Sequence, residues 1–214
     1  MTATRAQPPR RSTYRHGDLR RALLEAGVAM ARDGGPHDVV LRAVTRRVGV
    51  APNAAYRHFA DRRALLEAVS ASAQAALART IEEELAKVPT GGDPAARARA
   101  RLRAVGTGYL TFATTEPGLF RTAISVPVDL TTADEQAKRG DSGLAPFQLL
   151  GAALDELVAA GALPAQRRPQ AEFLAWSTVH GLAMLLIDGP LRALDRAAAG
   201  DVGQRLLDMV ERGI

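Results

Sequence analysis

Cysteine is absent from the 214 residues, which removes disulfides, thiolate metal sites and a thiol nucleophile from consideration. Aromatic residues are scarce at 4%, with a single tryptophan, Trp176, so each one that a core or pocket uses is informative. No apolar run is long enough to cross a bilayer. The strongest, Phe173 to Ile187, is interrupted by Ser177, Thr178 and His180. Met1 to Arg11 is polar and basic with two prolines and lacks the apolar stretch of a secretory signal. These absences lead to the expectation of a cytoplasmic protein that does not use a membrane. Enzyme signatures are also missing: the chain has no H-E-x-x-H, G-x-S-x-G or phosphate-loop pattern. His16, His37, His58 and His180 are scattered, and Gly106-Thr107-Gly108 is a bare G-x-G without a preceding strand. No catalytic residue, metal site or cofactor is expected.

What is present is a skewed charge. The first 63 residues contain no lysine but 13 arginines against 5 acidic residues, a net of +8; the remainder carries a net of −3. A basic first third on a mildly acidic body points to a polyanion as the partner of the N-terminal part. Charge alone leaves nucleic acid and anionic lipid both open.

The apolar residues, 47% of the chain by the broad count, recur almost everywhere with helical period, and no segment alternates as a strand does. Leu19, Leu23, Ala26 and Met30 define a first helix over 19–33, with Asp18 as its N-cap. Gly34-Gly35-Pro36 stops it. Leu41, Val44 and Val48 mark a short second helix ended by Gly49, and Pro52 opens a third whose inner face is Ala55 and Phe59. Asp61 caps a long helix striped by Leu65, Val69, Ala73, Leu77, Ile81 and Leu85. Pro89 to Pro94 is the clearest break. Helices follow at about 94–115, 118–126, 145–161, 169–187 and 201–212, with a polar loop over 128–143. The fold class expected is all-α.

The segment Leu41 to Phe59, LRAVTRRVGVAPNAAYRHF, has the logic of a helix-turn-helix. Gly49 can take the positive φ of the tight turn, and Val50 plugs the angle between the helices. Asn53, Ala54, Arg57 and His58, with Tyr56 at the edge, are left on the outer face, where they can meet base edges and phosphates in a major groove. With Tyr14-Arg-His-Gly-Asp-Leu19, Gly49-Val50, Tyr56-Arg-His-Phe59 and Asp61-Arg-Arg-Ala-Leu-Leu66 in this order, residues 14–67 resemble the DNA-binding domain of the TetR family of transcriptional regulators. The resemblance implies phosphate contacts for Tyr56, His58 and Arg62, and a recognition role for the third helix. Charge and position add Arg42 and Arg57, Asn53 is the candidate for a base edge, and Arg15, with Arg10 and Arg11, forms a basic arm. Two departures stand out. Ala51 occupies a position where the family usually has a capping serine, and Ala54 one where a hydroxyl is common.

The resemblance also implies a C-terminal domain holding an effector pocket and a dimer interface. Ala175-Trp-Ser-Thr-Val-His-Gly-Leu182 is similar to the Trp…His-Gly pattern of one branch. Tyr109, Phe112, Phe120, Phe147, Trp176 and His180 are the candidate pocket lining, in keeping with an apolar cavity carrying one or two polar groups. The helix at 169–187 is apolar almost all round and needs partners on both sides. With the helix at 201–212 it is expected to build a homodimer. The resulting organisation is a basic arm at 1–13, a helix-turn-helix domain at 14–62 and a ligand-binding and dimerisation domain at 63–214. The function expected is a repressor released from a palindromic double-stranded operator by a small-molecule effector. The alternative is a ligand-binding or protein-interaction module without specific DNA readout.

Overall fold

The computed structural model describes residues 16–126 and 136–214, with side chains from residue 18 onward; the arm at 1–13 lies outside the described residues. Among them there are no strands, and the α-helices are α1 (His16–Gly34), α2 (Leu41–Val48), α3 (Pro52–Tyr56), α4 (Arg62–Leu85), α5 (Pro94–Thr115), α6 (Pro117–Ile124), α7 (Pro146–Ala159), α8 (Ala171–Ile187) and α9 (Arg196–Gly213). The fold is all-α, as its apolar periodicity requires. None of these helices is long and apolar enough to cross a membrane.

Local chemistry sets the helix starts. The carboxylates of Asp61, Asp93 and Asp195 accept the backbone N–H groups of Ala64, Ala96 and Ala198, each at 2.8 Å, satisfying donors that the first turn leaves unpaired. Proline stands in the first turn of α3, α5, α6 and α7, where its missing N–H costs nothing.

Three expectations are corrected. Helix α1 begins at His16, so Asp18 lies in its first turn and favours the helix dipole instead of capping it. Helix α9 begins five residues earlier than its apolar stripe indicates, because Asp195 caps the alanine-rich run 196–199. Within the polar loop expected over 128–143, Gln136–Lys138 forms a 3-10 turn, and the Glu82 carboxylate of α4 accepts from the backbone N–H of Asp141 at 2.8 Å and of Ser142 at 3.0 Å. These bonds hold the Glu82 carboxyl below its ordinary range against the opposing effect of burial, which is the largest single influence on it.

Helix α4 is the spine. Near its start Leu65 and Val69 join Leu23, Val39, Val44, Ala55 and Phe59 in the buried core around α1–α3. Further along, Leu77 and Ile81 join the core shared with α5–α8. Helix α6 bridges the two regions, packing against both α1 and α4, and Arg32 of α1 pairs with Glu116 at its N-terminus at 2.9 Å. Helix α8 buries Ala171, Ala175, Val179, Leu182 and Ala183 on one side and exposes Phe173, Leu174 and Leu185 on the other; α9 exposes Val202 and Met209.

Candidate DNA-reading surface and ligand cavity

The turn between α2 and α3 depends on Gly49, which adopts φ 76°, ψ 30°, a left-handed conformation that a side chain penalises. Its N–H donates to Arg46 O, and Val50 N–H donates to Thr45 O at 3.0 Å, the paired closure of a Schellman turn. Val50 is half-buried against the core, as its plug role requires. Ala51 begins α3 in extended geometry with no side-chain cap, so the recognition helix lacks about 1 kcal/mol that a serine would supply. That helix is one turn shorter than its pattern suggests. It ends at Tyr56, and Arg57 and His58 follow in a turn whose N–H groups include the bond from His58 to Ala55 O.

Asn53, Tyr56 and Arg57 are exposed, as is Arg42 on α2, while His58 is half-buried. Tyr56, at 51% exposure, belongs to the outer surface and not to the core. These side chains share the face presented by α2, α3 and the turn after it. Arg62 is exposed at the start of α4, but two of its donors are already used: Nε donates to Val39 O at 3.0 Å and Nη2 to Pro36 O at 2.8 Å. It therefore fastens the α1–α2 connection to α4, and its remaining N–H groups are the ones available to a phosphate. Arg20 also has a structural contact, its guanidinium lying 5.1 Å from the centre of the Phe59 ring. Arg15 lies outside the described residues.

The C-terminal helices line a partly open cavity of about 440 Å³. Its wall includes Leu77 and Ile81 of α4, Val105 and Tyr109 of α5, Ile124 of α6, Phe147 and Leu150 of α7, Trp176 and Val179 of α8, and Leu207 of α9. Of the six candidate pocket residues, Tyr109, Phe147 and Trp176 stand in this wall. Phe112 and Phe120 do not: both are buried in the core, and Phe120 packs edge-on against Tyr109 with centroids 5.3 Å apart. His180 stands behind the lining, 2.9 Å from Tyr109 Oη through its Nδ1, with its ring 5.6 Å from Trp176.

These groups form a hydrogen-bonded chain. Trp176 Nε1 donates to Tyr109 Oη at 3.2 Å. Burial lowers the pKa of His180, favouring the neutral ring, which pairs with the tyrosine through Nδ1. Burial, opposed by the tryptophan N–H, drives the Tyr109 phenol far above its ordinary range. The three are thus uncharged and bonded to one another.

Several lining residues lie outside the aromatic set expected from the sequence. Gln74 interrupts the apolar stripe of α4 and reaches the carbonyl of Ala123 at the end of α6, 3.1 Å away; buried Ser70 Oγ reaches the same oxygen at 3.2 Å. Arg103 and Glu211, also in the wall, pair with each other at 2.9 Å, and Arg103 also binds Asp208.

A helix-turn-helix joined by one continuous helix to a cavity-bearing helical domain defines a DNA-binding regulator. Residues 23–69 match the family of bacterial regulatory proteins, tetR family, and residues 102–210 match the tetracyclin repressor-like C-terminal domain. The chain belongs to the TetR family of transcriptional regulators. No curated protein matches it. Among solved structures, a protein of unknown function from Rhodococcus sp. RHA1 is similar over 95% of this chain and 99% of its own, at 28% identity and TM-score 0.72. A protein from Shewanella sp. PV-4 assigned to the tetR family of transcription regulators shares the fold at 19% identity and TM-score 0.57, covering 88% of this chain and 95% of its own. A TetR-like transcriptional regulator from Rhodococcus sp. RHA1 does so at 16% identity and TM-score 0.52, covering 97% and 100%.

Proposed function

We propose that this regulator is a homodimeric repressor, released from a palindromic operator when a small molecule enters the C-terminal cavity. The observation that carries this reading is the path of α4. Gln74, Leu77 and Ile81 stand in the cavity wall, while Leu65 of the same helix packs in the helix-turn-helix core. A ligand that fits only one arrangement of the wall biases α4 and hence the separation of two recognition helices. Half-sites are met about 34–36 Å apart, so a small displacement is enough to weaken binding. Asn53 is assigned to a base edge, Arg42, Tyr56, Arg57, His58 and Arg62 to phosphates, and the division at residues 62–63 to the boundary between reading and sensing.

The dimer is assigned to the exposed apolar faces of α8 and α9. Leu174, Gly181 and Leu185 share one side of α8 at helical spacing, and a Cβ placed on Gly181 meets nothing within 4 Å in its own chain. A glycine inside a helix costs about 1 kcal/mol relative to alanine, and close approach of a second α8 supplies a reason for it. The cavity is proposed to bind its ligand without turning it over.

A cavity-filling variant tests the reading. A compound that raises the melting temperature of the wild type should also release its DNA, and in Ala175→Phe it should do neither. DNA affinity that stays constant while the compound is bound contradicts ligand-controlled release.

A further inference from the structure

Resting on the reading of the cavity as the effector site, we infer that the effector is an uncharged, largely apolar alcohol or phenol whose hydroxyl donates to the side-chain carbonyl of Gln74. The polar groups in the wall among the described residues are Gln74, Arg103, Tyr109, Lys138, Trp176 and Glu211.

The charged members already have partners. Arg103 is bound by Asp208 and Glu211, Glu211 also by Arg99 at 3.5 Å, and Lys138 is engaged as well. Arg99 and Arg103 with Asp208 and Glu211 form a charge-balanced cluster. A charged ligand beside it would bring a partly buried ion with no counter-charge of its own, a heavy penalty. The aromatic groups already bond one another: Trp176 N–H donates to Tyr109 Oη, which also pairs with His180 Nδ1.

Gln74 differs. The oxygen of Ala123 can only accept, so the amide NH2 must be the end that faces it. The other end, Oε1, has no hydrogen bond to the described residues and belongs to a half-buried side chain in the cavity wall. An acceptor with spare capacity in an apolar cavity selects a donor, and the charged side chains of the wall among the described residues are already paired. Hydroxyl is the neutral donor that satisfies it at least cost in desolvation. The bond from Ser70 keeps Ala123 O paired, so Gln74 can be replaced without orphaning that carbonyl.

The test uses the full-length dimer and three probes of one shape, 4-butylphenol, butylbenzene and 4-butylbenzoate, titrated by calorimetry into wild type and Gln74→Met. The phenol should bind at least about fivefold more tightly than butylbenzene, and the benzoate at least about tenfold more weakly than the phenol. Gln74→Met should abolish the preference for the phenol while leaving butylbenzene affinity within about twofold, a readout that misfolding would not give. Equal binding of phenol and butylbenzene, tighter binding of the benzoate, or a preference that survives in Gln74→Met overturns the assignment while leaving the cavity a ligand site. Failure of all three probes to bind removes the assignment together with the ligand-site reading beneath it.

Discussion

Replacing Gly118 with alanine probes the junction between the sensing and reading parts of the chain. Gly118 is the second residue of α6 and lies directly on the C-terminal turn of α1. A Cβ built there falls 2.3 Å from Arg32 O and 2.4 Å from Ala31 O. Carbon contacts have their optimum near about 3.5 Å, so α6 and α1 must part by roughly 1 Å. Neither obstacle is a flexible side chain, because both are carbonyl oxygens of helical backbone. Overpacking of this kind costs about 1–3 kcal/mol, offset by at most about 1 kcal/mol of improved helix propensity. The net loss expected is about 1–2 kcal/mol, a fall of roughly 2–8 °C in melting temperature for a chain of this size. Gly200→Ala in α9 is the matched control: nothing lies within 4 Å of its added Cβ, so the propensity gain stands alone and the melting temperature should rise by about 2–4 °C. Calorimetry on both variants separates the effects. A Gly118→Ala protein as stable as Gly200→Ala would refute the claim that α6 is pressed against the backbone of α1.

Other outcomes follow from single contacts. Ala51→Ser should restore the missing cap of α3 and add about 1 kcal/mol, read as a higher melting temperature; no gain would mean that another group already serves those N–H donors. Arg62→Ala removes two hydrogen bonds to the carbonyls of Val39 and Pro36, so it should destabilise the fold by about 1 kcal/mol. It should also weaken all DNA binding and reduce the salt slope by about one, whereas Asn53→Ala should keep stability and relax sequence choice. Uniform losses from both variants contradict the division of roles. Gly181→Leu should raise the dimer dissociation constant at least about tenfold by analytical ultracentrifugation, and an unchanged dimer would place the interface elsewhere. The lowered pKa of His180 means that its contribution to stability is present above the unfolded value of about 6.5 and is lost as pH falls through the folded value. Wild type should therefore lose stability between pH 7 and 5 more steeply than His180→Asn, whose side-chain oxygen can still accept from Tyr109; parallel profiles would exclude His180 as the titrating group.

The helix-turn-helix was legible because its determinants are local: Gly49, Val50, Pro52 and the cap at Asp61 lie within thirteen residues and fix their own turns. The cavity was legible only in part. Aromatic spacing shows that Tyr109, Phe112 and Phe120 are inward, but not that Phe120 packs behind Tyr109 while Phe112 is buried away from the cavity. That depends on which way α5 and α6 roll against α4. Gln74 is marked in the sequence only as a polar side chain beside the apolar stripe of α4. Arg62 could not be assigned in full, because the carbonyls it binds lie 23 and 26 residues away and no periodicity connects them. The start of α9 was missed since alanine and arginine between 196 and 199 show no stripe, although Asp195 is an ordinary cap.

The proposed regulator reads a symmetric DNA site with two copies of this chain. Selection of bound fragments from a random-sequence duplex pool, followed by titration of the winner across salt, checks this. The expected result is recovery of one palindrome of two half-sites, bound about a thousandfold or more above unrelated DNA at the same salt concentration. Recovery of sequences no better than the starting pool would contradict it.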